Sequence, residues 1–446
     1  MEPNLSPIQK KNSQYYLTIN KKFWFSHMVS FVWLLLSIYL SIPWLNDLSE
    51  VVTLPIAILI IGGIAYIPGY MSSFLIISLL LDRQPNFKNE SPTEPVTLLV
   101  AAYNEEEGIY TTLKYVADQD YTGDIHIIVI NNNSTDKTDE EVMRAKSEFN
   151  ANITLLHEKK PGKFHALNKG LKFVRTPYVI TLDADTLIHP SAIRYLVSRI
   201  KSSPDDVCAV AGSMLVRNSR ETIWTKIQEW DYFLGIASIK RLQGLYQGTL
   251  VAQGAFSLYR TENVIAVNGW PDAIGEDIVL TWRLLQKEWK VFFEPLAVAF
   301  TDAPTTLRHF AIQRSRWARG MVEGLKEIKP WQQPQVYTKY LTGINLMMLY
   351  LDLIYTLCWI PGLLLAFFGI NLIVGPMTLL VLPLTFISYS ILYFYQKNYV
   401  FRNLNLRIRH NRLGFLFFIL CYQMIMSPVS FYGYLQEFFK LKRVWE

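Results

Sequence analysis

The sequence predicts an α/β domain, a mostly parallel sheet flanked by helices, combined with α-helical transmembrane segments on either side. Three observations predict it. Charge is unevenly spread over the 446 residues, apolar runs alternate with helical patterns mid-chain, and polar clusters end several of those runs. Only 18% of residues are charged, against 51% hydrophobic and 14% aromatic, which excludes a disordered chain. The cysteines Cys208, Cys358 and Cys421 are too scattered for a disulfide framework or a metal or redox motif, and read as small buried hydrophobes.

The membrane segments come from the gaps in charge. No Asp, Glu, Lys or Arg occurs from Phe23 to Asn46 or from Val51 to Leu81. Each run exceeds the roughly 20 residues that cross a bilayer. Between Tyr340 and Gln396 the only charged side chain is Asp352, in a stretch that holds two spans broken near Gly369 to Pro376. Asp352 reads either as lining a hydrated channel or as interfacial. A last uncharged run, Leu413 to Gln436, carries Pro428 in its middle and reads as Pro-broken. So many runs cannot fit one soluble core. Phe23 opens a run too long for a signal peptide, with no small-residue cleavage site after it, so it reads as an anchor.

Basic residues orient these spans. Lys10, Lys11, Lys21 and Lys22 precede the first, and Lys397, Arg402, Arg407, Arg409 and Arg412 lie before the last, without an acid among them. Both segments, and the domain between the spans, are expected on the cytoplasmic side of a plasma (inner) membrane. The tail Lys440, Lys442 and Arg443 is also basic, which favours a re-entrant last segment. The expected divisions are an arm at 1–22, two spans at 23–82, the α/β domain at 83–302, amphipathic interface helices at 303–339 and a C-terminal membrane region at 340–446.

Within the domain, Val96 to Ala102 is a short apolar run that stops at Tyr103-Asn104-Glu105, followed by a helix with Ile109, Leu113 and Val116 on one face. Ile125 to Ile130 ends in Asn131-Asn132-Asn133-Ser134. Next come a helix, Ile153 to Leu156, a helix from about Lys163 to Val174, and the strand Tyr178 to Leu182 ending in Asp183-Ala184-Asp185. Such alternation implies parallel pairing through right-handed crossovers, with polar ligands off the carboxyl ends of the strands.

Four constellations carry chemistry. Asp183 and Asp185 at a strand exit offer hard oxygen ligands suited to Mg²⁺ or Mn²⁺ with phosphate. Lys163, opening a helix after Gly162, suits a pyrophosphate, and otherwise is a solvated lysine. Glu276 and Asp277 start an amphipathic helix; Glu276 fits a cap as well as a ligand, and Asp277 is the candidate general base. Gln313 and Arg316 share a helix face with Trp317 beside them, fit for a diphosphate and a sugar ring, or for lipid headgroups. No Walker or Rossmann glycine pattern occurs, and no nucleic-acid partner is expected.

Taken in order, Val100-Ala101-Ala102-Tyr103-Asn104-Glu105, Asn132-Asn133-Ser134, Gly162-Lys163 with Ala166-Leu167-Asn168, Asp183-Ala184-Asp185, Glu276-Asp277 and Gln313-x-x-Arg316-Trp317 resemble the processive family 2 glycosyltransferases. These are the membrane synthases of poly-N-acetylglucosamine, hyaluronan, chitin and cellulose, and the resemblance runs from Pro95 to Gly324. It implies a GT-A-type domain. Ala102, Tyr103 and Glu105 would lie at the nucleotide, the last two holding uracil with Asn132 nearby. Lys163 would approach the diphosphate, Asp183 would sit at the nucleotide and share the metal with Asp185, and Gln313 and Arg316 would cover the diphosphate. Asp277 would be the base of an inverting transfer, while Trp317, Gln253, Gly254 and Glu276 would meet the acceptor.

The implied partners are a UDP-sugar, the growing polysaccharide, the lipid bilayer and, as in some relatives, a small membrane accessory subunit. The sequence departs from the family at Asn132-Asn133-Ser134, where Asp-Gly-Ser is usual, and at Gly275, where many poly-N-acetylglucosamine synthases have Thr. Their Trp-x-Ser-Pro-Asp-Arg-Gly tail is also absent. The branch that fits best makes a poly-N-acetylglucosamine-like product from UDP-N-acetylglucosamine. The other readings are a hyaluronan-, chitin- or cellulose-type synthase, a non-processive transferase acting on a lipid, and a non-catalytic transporter or scaffold.

Overall fold

A computed structural model describes residues 17–375 and 381–441. Lys10, Lys11, Pro376, Lys442 and Arg443 lie outside the described residues. Two long apolar helices open the chain: α1 (Ile19–Val51), then α2 (Leu54–Ile61), which a π-helical turn joins to α3 (Ile67–Leu81). The domain follows as β1 (Val96–Ala102), α4 (Ile109–Ala117), β2 (Ile125–Asn131), α5 (Thr138–Glu148), β3 (Asn152–His157), α6 (Lys163–Leu171), β4 (Tyr178–Asp183), β5 (Leu187–Ile188), α7 (Ala192–Ser202) and β6 (Val207–Val216). Next, α8 (Ile223–Trp230) passes through a π-helical turn, Asp231–Ile236, into α9 (Ala237–Leu245). Then come β7 (Phe256–Arg260), α10 (Thr261–Ala266), α11 (Glu276–Gln286), β8 (Lys290–Thr301) and α12 (Leu307–Glu327). The chain closes with α13 (Val336–Ile354), α14 (Ile360–Phe367), α15 (Val381–Tyr395) and α16 (Arg412–Phe438).

Among the described residues the sheet has eight strands in the order β3-β2-β1-β4-β7-β6-β8-β5. The half formed by β1 to β4 is parallel, as expected, because each helix between those strands returns the chain to the same edge. Beyond β4 the pairing mixes: β7 is antiparallel to β4 and β6, β5 is antiparallel to β8, and β6 is parallel to β8. Ile109, Leu113 and Val116 are buried against the sheet, since positions three or four apart share one helix face. The helix expected to reach Val174 ends at Leu171, and i→i−3 bonds from Phe173 and Val174 continue it as a tighter turn before Pro177.

Among the described residues, four helical stretches are long and apolar enough to cross a membrane: Ile19–Val51, Leu54–Leu81, Val336–Phe367 and Arg412–Phe438. The first begins in the expected arm and includes Lys21 and Lys22. The Pro428 segment is not broken but forms one helix from Arg412 to Phe438. Contacts on either side of Pro428 hold it: Ser427 and Tyr434 both donate to Asp352 of α13, each at 2.7 Å. Asp352 is therefore a buried clasp between two helices, a role neither sequence reading assigned it. Each end of α16 docks on the α/β unit. Trp230 donates to the Asn411 carbonyl at 2.8 Å, and Lys326 of α12 pairs with Glu437 at 2.8 Å. Cys208 is buried in β6 as expected, whereas Cys358 and Cys421 are only half-buried.

Candidate active site

The carboxyl ends of β1, β2 and β4 meet at one rim. The backbone N–H of Asn104 donates to Ser134 Oγ at 3.0 Å, and that of Asn132 to the Ala102 carbonyl at 2.8 Å, tying the first two ends together. Asn104 and Asn133 turn the chain with φ of +54° and +66°, conformations that Asn tolerates better than most residues. Asn133 thus meets the backbone requirement at the place where relatives carry Gly. Ala102 is buried and Tyr103 is exposed at the rim.

Asn132 bonds within the chain to the loop before α6. Its side-chain amide donates to the carbonyls of Glu158 and Lys160, and its Oδ1 accepts from the Gly162 N–H at 2.8 Å. It thereby clamps the loop that presents Lys163 and is itself buried. Gly162 sits at φ +129°, open to glycine and rarely to other residues.

Lys163 is the hub of the charged centre. Its ammonium bonds Asp183 and lies 3.8 Å from Glu276. Burial opposes its charge, yet the carboxylates of Asp183 and Glu276 outweigh that and raise its pKa. Burial raises Glu276 to about 7, with Lys163 opposing and Asp277 adding to the shift. Glu276 therefore faces the site rather than acting as a mere cap. Gly254 sits among these groups, where an added Cβ would meet Lys163 Nζ at 3.0 Å and Glu276 Oε1 at 3.4 Å.

A second group of carboxylates faces the same rim. Burial raises Glu105 to about 7, with Asp185, Asp183 and Asp136 adding to the shift. Burial, then Asp183, raises Asp185 as well. Carboxylates that repel one another at a strand exit fit a divalent cation, which would relieve the repulsion. Among the described residues no group of three His, Cys, Asp or Glu side chains converges to hold an ion. Asp183 and Asp185 would therefore need oxygens from another source to complete a shell.

Asp277, in the first turn of α11, accepts at Oδ2 from the Gly254 N–H at 3.1 Å and at Oδ1 from the Ile278 N–H at 2.8 Å. Gln253, one residue from that contact, is fixed by its amide to the Gly212 carbonyl at 2.6 Å, and its Oε1 accepts from the Lys240 ammonium. Lys240 also donates to the Val251 carbonyl at 2.7 Å. Burial lowers Lys240 to about 7, with Asp277 opposing. Sequence reasoning missed Lys240; the only signal was a lone lysine shortly before the Val251 to Ala255 stretch.

The Gln313–Trp317 segment lies on α12. Gln313 and Arg316 are both half-buried, as their shared face requires. Gln313 Oε1 has no hydrogen-bond partner, and Arg316 makes no ion pair among the described residues. Trp317 is 38% exposed. Between them Arg314, also missed in the sequence, is buried, pairs with Asp231 at 2.8 Å and lies 4.1 Å from the centre of the Trp317 ring. The α12 helix is locked to α11 at Gly275 and Gly320, where an added Cβ on either would lie 2.7 Å from the other's Cα. Glu323 of α12 accepts from the N–H groups of Ile274 and Gly275. Gly275 is thus a packing requirement, with no room for the Thr of other members.

The chain resembles proteins already known. Residues 92–320 match the domain family described as glycosyltransferase like family 2. A poly-beta-1,6-N-acetyl-D-glucosamine synthase of Staphylococcus aureus is 34% identical over 267 residues, 57% of this chain and 64% of that protein. The match therefore spans under two thirds of that relative's length. A protein of the same name from Staphylococcus epidermidis is 31% identical over 346 residues, 77% of this chain and 80% of the relative. In fold, the chain is similar to a mannosyltransferase from Pyrobaculum calidifontis solved with GDP-Man and Mn²⁺, with TM-score 0.60, 18% identity and coverage of 87% of this chain and 99% of that one. With its GT-A-like sheet and a family match across half its length, the chain belongs to glycosyltransferase family 2.

Proposed function

We propose that this glycosyltransferase is a membrane-embedded, processive, inverting synthase that builds a β-linked poly-N-acetylglucosamine-like polymer from UDP-N-acetylglucosamine. It works on the cytoplasmic side of a plasma (inner) membrane and exports the product. The observation that carries this reading is the juxtaposition of Asp277, held on the Gly254 N–H, with the Lys163–Asp183–Glu276 cluster. The names of the relatives support the choice of sugar.

In this reading Asp277 takes the proton of an acceptor hydroxyl as that oxygen attacks the anomeric carbon. The bond from that carbon to the phosphate oxygen breaks, and UDP leaves. Lys163, Gln313 and Arg316 hold the diphosphate, Tyr103 and Glu105 flank the base, and Asn132 acts through the Gly162 loop. Trp317 offers its ring to the acceptor sugar, beside the Gln253–Gly254 stretch. Asp183 and Asp185 would hold Mg²⁺ or Mn²⁺, which when bound neutralises charge on the diphosphate. The test is incubation of the purified chain with a panel of UDP-sugars, with UDP release measured and the product sized and digested by linkage-specific hydrolases. A long product cut by a β-1,6-N-acetylglucosaminidase is expected. A single-sugar glycolipid would overturn processivity, and turnover confined to another UDP-sugar would overturn the choice of donor.

A further inference from the structure

A cavity of about 600 Å³ lies between the end of β6, the α8 helix and the segment after α15. Its lining includes Trp230, Phe233 and Phe401 together with Arg217, Arg407 and Arg409. That volume falls within the ~300–1,000 Å³ typical of small-molecule sites. The acids nearby are already matched: Glu229 pairs with Arg220 at 2.6 Å, and Asp302 pairs with Arg217. Arg407 and Arg409 are exposed and make no hydrogen bond or ion pair among the described residues. The cavity thus joins aromatic walls to two unmatched guanidiniums on a short link between two apolar helices. Guanidinium forks suit phosphate oxygens, and aromatic walls suit acyl chains.

We propose that this cavity binds one anionic phospholipid, its phosphate on Arg407 and Arg409 and the upper part of its chains against Trp230, Phe233 and Phe401. The proposal rests on the reading that this link lies at the cytoplasmic membrane surface. It has a consequence for the active site, because the same helical turn faces both ways. Trp230 and Phe233 line the cavity, while between them Asp231 pairs with Arg314 and Tyr232 lies against both Arg314 and Trp317. A lipid that packs on the first pair fixes the second, and with it the aromatic platform of α12.

The test uses the full chain in nanodiscs of phosphatidylcholine with or without phosphatidylglycerol. Retained lipid is read by native mass spectrometry after detergent delipidation, without any sugar donor, so its outcome is independent of which polymer is made. The wild type is expected to keep one phosphatidylglycerol, and R407Q/R409Q, altered only at exposed side chains, to lose it. Turnover of the wild type should rise severalfold when phosphatidylglycerol is added, and that rise should vanish in the double variant while turnover in phosphatidylcholine stays unchanged. Equal retention by the two proteins overturns the site. An equal rise in turnover overturns its link to α12. Displacement of the lipid by millimolar glycerol 1-phosphate overturns the lipid in favour of a soluble phosphate.

Discussion

Asp277 owes its orientation to two backbone donors, the N–H groups of Gly254 and Ile278, and the first is held in turn by a short chain of polar contacts through Gln253 to Lys240. In Asp277→Asn the shape is kept, but the proton acceptor is lost and only one of the two backbone N–H groups keeps an acceptor oxygen. Turnover is expected to fall by about 10²–10⁴ while UDP affinity stays near wild type. Near-normal turnover would remove Asp277 from the role of base. Lys240→Met leaves the Gln253 and Val251 oxygens without their donor, at a cost of about 1–3 kcal/mol. Here kcat should drop with little change in the KM for the sugar donor if, as proposed, the contact lies on the acceptor side; a change in KM alone would contradict this. Glu276 predicts a dependence on pH. Its carboxyl is raised to about 7, so the folded chain holds the proton more tightly than the unfolded one. Its stabilising contribution is full below the ordinary carboxylate range and is lost as pH rises through about 7, on the order of 3 kcal/mol at most. The Tm measured in detergent should therefore fall less between about pH 5 and about pH 8 in Glu276→Gln than in the wild type. Identical slopes would show that Glu276 is not held protonated.

Among the elements, the joint between α11 and α12 fixes how Asp277 sits relative to the Gln313–Trp317 segment. Two glycines let the helices touch backbone to backbone, and Glu323 receives the free N–H groups at the start of α11. Gly320→Ala puts a methyl group against the Gly275 backbone and should destabilise the chain by about 1–3 kcal/mol. It should also lower turnover more than a surface Ala substitution of equal Tm. A variant with unchanged Tm and turnover would mean that the helices separate freely. The strands and helices of the parallel half were legible because alternation and the 3.6-residue period are local properties of the chain. Lys163, Asp183 and Glu276 were also legible as candidates, since each opens or ends an element. Lys240, Arg314 and Glu323 were not. Arg314 and Glu323 work on partners 83 and 49 residues away and Lys240 on oxygens 11 and 13 residues on, and no local pattern marks such pairs.

For the whole molecule, the decisive contacts run between the apolar helices and the catalytic unit. Asp352 ties α13 to α16 through Ser427 and Tyr434, and α16 in turn carries Glu437 to Lys326 of α12. Replacing Asp352 by Leu takes the acceptor from two buried hydroxyls, of which Ser427 keeps only its bond from Gln423, at about 1–3 kcal/mol each. The variant should lose thermal stability in detergent, and the loss should be partly recovered in Asp352→Asn, whose amide oxygen still accepts. Full stability of the Leu variant would show that the clasp contributes nothing.

The sequence by itself determined the apolar segments, the parallel core and the candidates at the strand ends, because hydrophobic period and charge placement act over a few residues. Only the tertiary structure decided that Asn132 serves the Gly162 loop, that Gly275 is a packing requirement, and that the Pro428 segment stays one helix. It also assigned Asp352 to a clasp. Each of these depends on which surfaces meet, and close packing with satisfied buried polar groups is settled only when distant segments come together.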